Sequence, residues 1–175
     1  NNLIGGPVIT QAIKFNKSLT ALDITGNPIE DDALWQFGQL LLEEDCQCKL
    51  RYVSTYAFTV AEDMTTMSLQ DAKLEAGAVR LLFGVLKFNN QIVELDLSGA
   101  GISASAAHDL ALALQVNKSL KSLDLSRNPL STIQEYVNPN TITVPGDDRS
   151  SPNKGSVEQL NDTKGLVALA SAVQT

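Results

Sequence analysis

Leu120-Lys121-Ser122-Leu123-Asp124-Leu125-Ser126-Arg127-Asn128-Pro129-Leu130 is the stretch that decides how this chain folds. It reads Leu-x-x-Leu-x-Leu-x-x-Asn-x-Leu. The pattern returns at Leu19 to Ile29, and again at Ile92 to Ile102 with Ala100 in the asparagine place. The copies at Ile92 and Leu120 begin 28 residues apart, a period that signals stacked structural units. A lead-in also recurs before each copy: Lys14-Phe15-Asn16-Lys17-Ser18, Lys87-Phe88-Asn89-Asn90-Gln91 and Gln115-Val116-Asn117-Lys118-Ser119.

The spacing of the leucines suits a short strand that bends into a loop. Leu123 and Leu125 are two apart and share one strand face, which turns Asp124 towards solvent. The asparagines Asn27 and Asn128 are polar among apolar anchors. Their expected task is to hydrogen-bond backbone groups in the bend, because buried amides and carbonyls need partners. One such rung hides its apolar side only by stacking on others, so the predicted architecture is a solenoid.

From Met64 the register is regular, with Met64, Ile92 and Leu120 each 28 apart. Helices are predicted between the rungs, over Glu75 to Phe88 and Ala104 to Val116, with stripes Ala78, Leu82, Leu86 and Ala106, Leu110, Leu114. A further helix after Ile29 carries Leu34, Phe37, Leu41 and Leu42 inward, with Trp35 near the edge and Asp31-Asp32 in its acidic first turn. Asn1 to Asn16 resembles the second half of a unit. Leu50 to Leu74 is irregular: rungs starting at Leu50 and Met64 lie only 14 residues apart, too few for a helical return. Two rungs joined by an extended segment around Tyr56 to Val60 are expected there, with Phe58 and Ala72 in the asparagine places. Residues 131–163, rich in Pro, Ser, Asn and Thr, read as a long loop insertion within the last unit. Helical pattern resumes at Lys164. The whole, 1–175, is expected to be a single domain and a fragment of something longer.

Composition narrows function. Twenty Asp and Glu against 13 Lys and Arg give a net charge of −7, which argues against a nucleic-acid partner. No apolar run approaches the ~18 residues that span a bilayer, so no membrane insertion is expected. Cys46 and Cys48 are too close for an unstrained disulfide, and two thiols alone make a poor zinc site. They read as free thiols at a helix end, one facing the core, which fits an intracellular, cytoplasmic or organelle-associated setting. His108, the one histidine, falls off the helical stripe and reads as a surface residue. No phosphate-binding loop, nucleophile elbow, zinc motif or calcium loop is present, so no cofactor and no catalysis are expected.

These residues resemble the ribonuclease-inhibitor-like class of leucine-rich repeats. The resemblance implies an α/β solenoid, or horseshoe, with parallel strands on the concave side and helices on the convex side. It also implies a non-catalytic module or scaffold that binds protein partners, as one region or subunit of a larger assembly. A regulator of a small GTPase similar to the Ran activator, or the sensor domain of an innate-type receptor, are the alternatives. Mapped on this chain, the exposed strand places include Arg51, Tyr52, Glu94, Asp96, Lys121 and Asp124. That face would dock a basic segment of a partner. The plainer reading is that Asp in Leu-Asp-Leu is a common solvent-facing choice.

Overall fold

A computed structural model describes residue 10, residues 12–130 and the backbone of 132–136 and 158–162. The chain enters through a helical turn at 12–14 and alternates short strands with helices. In order these are β1 (Ala21–Asp23), α1 (Asp31–Leu42), β2 (Tyr52–Ser54), β3 (Thr59–Val60), β4 (Thr66–Ser68), α2 (Ala76–Leu86), β5 (Glu94–Asp96), α3 (Ala104–Val116) and β6 (Ser122–Asp124). The fourth, inward place puts Val53, Met67 and Leu95 in the core with Leu34, Leu41, Leu82, Leu86 and Leu110 from the helices, while Leu22 and Leu123 pack half-buried against it. Each fully buried leucine contributes about 2 kcal/mol of apolar burial. Stacking is thus what holds a unit too small to fold alone.

Strands β1 to β6 form two sheets. One has the order β4-β5-β6, all parallel, with Thr66, Glu94 and Ser122 side by side and Ser68, Asp96 and Asp124 in the next place along. The other has the order β1-β2-β3. There β1 and β2 are parallel, with Ala21 beside Tyr52, whereas β3 runs antiparallel to β2. The two expected central rungs are both present, and the extended return between them is a reversal. Thr55 builds it. Its hydroxyl accepts from the N–H groups of Ala57 and Phe58 at 3.1 and 3.0 Å and donates to the Phe58 carbonyl at 2.9 Å. Phe58, in an asparagine place, is buried instead of bonding the bend.

Because the short unit has no helix, α1 and α2 are direct neighbours, and glycines let them close up. A Cβ on Gly38 would strike the Arg80–Leu81 backbone, and one on Gly84 would lie 2.8 Å from Leu41 Cβ. Both ends of this pair are stapled. Asp31 does more than sit in its own helix's first turn: its carboxylate accepts from Gly77 N–H at 2.7 Å and Ala78 N–H at 2.9 Å, capping α2. At the opposite end Lys87 Nζ donates to the carbonyls of Leu41, Leu42 and Glu43 at 3.2, 3.1 and 3.0 Å, closing α1. Burial pushes the Lys87 ammonium below its ordinary range. The carbonyl cage holds the charge in place there.

Within the stretch read as a loop insertion, Thr132–Tyr136 (β7) pairs antiparallel with Glu158–Asp162 (β8). The β-branched Thr132 and Ile133 and the aromatic Tyr136 suit that ladder, although the composition around them reads as loop. The rest of the insertion, the helical pattern from Lys164 and most of the first half-unit lie outside the described residues.

Candidate functional site

The asparagines act on the backbone. Asn128 Nδ2 donates to the carbonyls of Leu125 at 3.0 Å and Ser126 at 3.2 Å in its own turn, and to Leu97 in the preceding rung at 2.7 Å. Its Oδ1 accepts from Gly101 and Ile102 N–H, both at 2.9 Å. The rung that carries Ala100 is therefore tied by its neighbour's asparagine. Asn27 reaches only its own turn, through the Ile24 and Thr25 carbonyls at 3.3 Å. The lead-in asparagines form a second ladder. Asn117 Nδ2 donates to the Leu86 and Asn89 carbonyls at 2.7 and 3.0 Å, and Asn89 Nδ2 to the Arg51 carbonyl at 2.9 Å. That last bond reaches into the short unit that starts at Leu50 and joins the two sheets.

The exposed strand places divide between the sheets. Glu94, Asp96, Lys121 and Asp124 come together on β5 and β6 and at the start of β6. Arg51 and Tyr52 belong to the other sheet, where both are half-buried. Arg51 Nε is buried with no hydrogen-bond partner. Asp96 and Asp124 are register partners, an arrangement of like charges that costs stability in a sheet.

Each fifth-place aspartate has a local task that the sequence reading did not assign. Oδ1 of Asp23, Asp96 and Asp124 accepts from the N–H two residues on, at 2.9, 2.9 and 2.8 Å. Ser98, through its backbone and then its hydroxyl, holds the Asp96 carboxyl below the usual carboxylate range. The Thr25 hydroxyl does so first for Asp23, followed by the Thr25 N–H. So Asp in Leu-Asp-Leu pins the turn with one oxygen. At Asp96 the second oxygen accepts from the Ser68 hydroxyl on β4 at 3.2 Å.

At the end of these strands lies a rim. Its eighth place takes positive φ in four rungs: Gly26 (72°), Asp71 (55°), Gly99 (65°) and Arg127 (59°). Glycine accepts that conformation freely, whereas other residues lose about 1 kcal/mol or more. Asp71 and Arg127 nonetheless occupy it, and they pair across Gly99. Arg127 Nη1 lies 3.0 Å from Asp71 Oδ1, Nη2 lies 3.4 Å from Oδ2, and Nη2 also lies 3.3 Å from Ser98 Oγ. A side chain on Gly99 would collide with Asp71. Aligning the eighth places of the repeats, where glycine alternates with charge, is the sequence signal that points to this rim.

On the convex side Arg80 stacks over Trp35, 4.2 Å from the ring centre, and pairs with Asp109 through Nε at 2.6 Å and Nη2 at 3.0 Å. This contact threads the three helices along a shallow groove lined also by Leu74 and Ser103. His108 is exposed beside it. Cys46 and Cys48 are free and both buried, where one was expected inside, and burial pushes both thiols up. They follow α1 in the lead-in to β2, with Cys48 Sγ reaching the Leu19 carbonyl at 3.8 Å. Among the described residues no cluster of His, Cys, Asp and Glu could hold a metal, and no helix is long and apolar enough to cross a membrane.

Rungs, register and asparagine ladders define a leucine-rich-repeat protein. The Leucine Rich repeat family model matches residues 15–34 and 116–132, the first and last of the clear copies. The chain is 28% identical over 157 residues to NACHT, LRR and PYD domains-containing protein 12 of Homo sapiens, covering 71% of this chain and 13% of that protein. It is also 28% identical over 130 residues to Capping protein, Arp2/3 and myosin-I linker protein 3 of Homo sapiens, covering 71% of this chain and 8% of that one. The chain thus spans a small part of the length of these relatives. The tropomodulin C-terminal domain of Caenorhabditis elegans superposes over 97% of this chain and 92% of its own, with TM-score 0.30 and 7% identity, a likeness too low to carry an argument. Together the repeat and the relatives support a protein-interaction module.

Proposed function

We propose that this chain is a non-catalytic scaffold of the ribonuclease-inhibitor-like class whose concave face docks a basic segment of a protein partner. The observation that carries the reading is the set of carboxylates on β5 and β6. Glu94 and Asp124 are exposed, Asp96 is half-buried, and Asp96 lies in register with Asp124 despite their mutual repulsion. A surface that keeps like charges side by side gains most from a cationic ligand, which relieves the repulsion on binding. Lys121 borders this patch at the start of β6, whereas Arg51 and Tyr52 lie apart from it on the other sheet. The name of one relative, a linker of capping protein, Arp2/3 and myosin-I, fits a tethering role. The insertion at 131–163 is a second contact within the same scaffold. A GTPase regulator asks for a rim arginine directed at a nucleotide, and Arg127 is instead engaged by Asp71 and Ser98.

The test is quantitative co-precipitation from the native source with the whole chain, the E94Q/D96N/D124N variant and a chain lacking 131–163. A stoichiometric partner that is lost with the triple variant supports the face. Undiminished recovery with that variant overturns it, and loss with the deletion alone assigns docking to the insertion.

A further inference from the structure

The rim pair calls for an explanation beyond packing. Asp71 and Arg127 both hold positive φ, in places where this same chain uses Gly26 and Gly99. The contact they make is open to water, with side-chain exposures of 57% and 54%. Exposed ion pairs add little to stability. The turn takes that φ in all four of these rungs, and at two of them a charged residue stands in place of glycine for a contact with little structural return, an outlier that points towards function.

The position of the pair indicates what that function is. Arg127 Nη2 meets the Ser98 hydroxyl at 3.3 Å, and Ser98 N–H donates to Asp96 Oδ1 at 2.9 Å. Asp96 Oδ2 in turn accepts from Ser68 at 3.2 Å. The guanidinium thus caps one end of the acidic concave row and occupies Asp71, the carboxylate that would extend that row along the rim. A bidentate arginine on a carboxylate is also the geometry that a partner's arginine would adopt.

We infer that Arg127 is an internal stand-in for a partner's basic side chain, an autoinhibitory contact that occupies Asp71 in the free chain and leaves it when an arginine of the docking segment takes its place. The inference rests on the basic-segment reading above. It adds that affinity is set by exchange of one guanidinium for another at Asp71, so the rim discriminates between partners that carry an arginine at that spot and those that do not. Gly99 is the hinge-side requirement: only a residue without a Cβ leaves Asp71 and Arg127 room to meet across it.

The experiment is fluorescence anisotropy of a labelled oligoarginine peptide against the full chain and its variants at low ionic strength. Lys73→Gly is the matched control. Lys73 also has positive φ (48°), is exposed, and sits two residues from Asp71, so the variant removes one positive charge and relieves the same backbone strain. Arg127→Gly is expected to tighten binding at least about fivefold, the lower bound of a typical coupling between sites. Lys73→Gly should tighten it by about twofold or less, as loss of a rim charge that does not occupy Asp71 does. Adding D71N to R127G should return affinity to near the parent value. Equal effects of R127G and K73G, or weaker binding by R127G, overturn the inference. If the parent chain binds and E94Q/D124N weakens it while R127G matches K73G, only the exchange at Asp71 fails. If the parent chain does not bind oligoarginine at all, the basic-segment reading fails and this inference with it. Thermal unfolding of R127G should stay at or above the parent value, since glycine suits positive φ.

Discussion

Strands β4, β5 and β6 and strands β1, β2 and β3 come from one sequence pattern, yet they make different structures. In the first set every strand is parallel, each turn carries a positive-φ residue in its eighth place, and Asn128 binds across to the preceding rung. In the second set one strand runs backwards, and Asn27 bonds only its own turn. The regular half is held rung to rung by backbone ladders and asparagines. The irregular half is held at the back, where α1 and α2 meet through glycines and are capped by Asp31 and Lys87. A repeat that loses its helix has moved its cohesion from the strands to the neighbouring helices.

Substitutions can break that contrast, and the helix joint should give the largest effect. Gly38→Ala forces a methyl into the Arg80–Leu81 backbone, and about 3 kcal/mol of stability should be lost, the upper end for overpacking. Gly26→Ala meets no neighbour and suffers only its positive φ, so about 1 kcal/mol is expected. Urea unfolding of the two variants measures both, and equal losses would remove the distinction. Next comes Lys87→Met, which strips three α1 carbonyls of their donor and should cost about 2 kcal/mol. Lys14, in the same lead-in place, pairs instead with Glu43 and Asp45 at the surface, and its replacement should scarcely move the unfolding midpoint.

The asparagines sharpen the comparison further. Asn128→Ala orphans groups in two rungs and should cost about 1.5 kcal/mol, against about 0.5 kcal/mol for Asn27→Ala. Hydrogen exchange would show the first loosening Gly101 and Ile102 amides 26 to 27 residues away, while the second stays local. The smallest effect is on acid stability. Asp96 and Asp23 have folded pKa values below the ordinary one, so their contribution is whole above that ordinary value and fades as pH falls through the lower folded value. Unfolding midpoints should therefore decline below about pH 4. D23N and D96N should each flatten that decline; an unchanged slope in both would show that the turns gain nothing from the charge.

Much of this was legible from residue types at fixed spacing. Leu123, Asp124 and Leu125 placed a strand and its two faces. The lead-in asparagines marked each rung, and Ala104 to Val116 was read with both its bounds. Those features depend on contacts within a few residues or at one constant period. What escaped the sequence depends on partners at no constant period. Asp31 caps a helix 46 residues away, and Thr55 turns the chain back where a strand and return were expected without a direction. One thiol of Cys46 and Cys48 was expected inside and both are buried, because the segment after α1 packs into the core as it leads to β2. For the candidate face, the strand places were readable one by one. That they split between two sheets, with Arg51 and Tyr52 apart from the carboxylates, follows from the reversal at β3.

An arch curves because its outer blocks are wider than its inner ones. Here the inner blocks are strands about 4.8 Å apart and the outer ones are helices about 9 Å apart. The span from β2 to β4 adds an inner block, even a reversed one, and leaves out its outer counterpart. At that one place the arch has no wedge, so its two arms meet along a straighter line than the period alone would draw. The opening between the arms is thereby set by fourteen residues and by Gly38 and Gly84 in this one joint, and a unit added or removed elsewhere would lengthen an arm without changing the angle at which the two arms face each other.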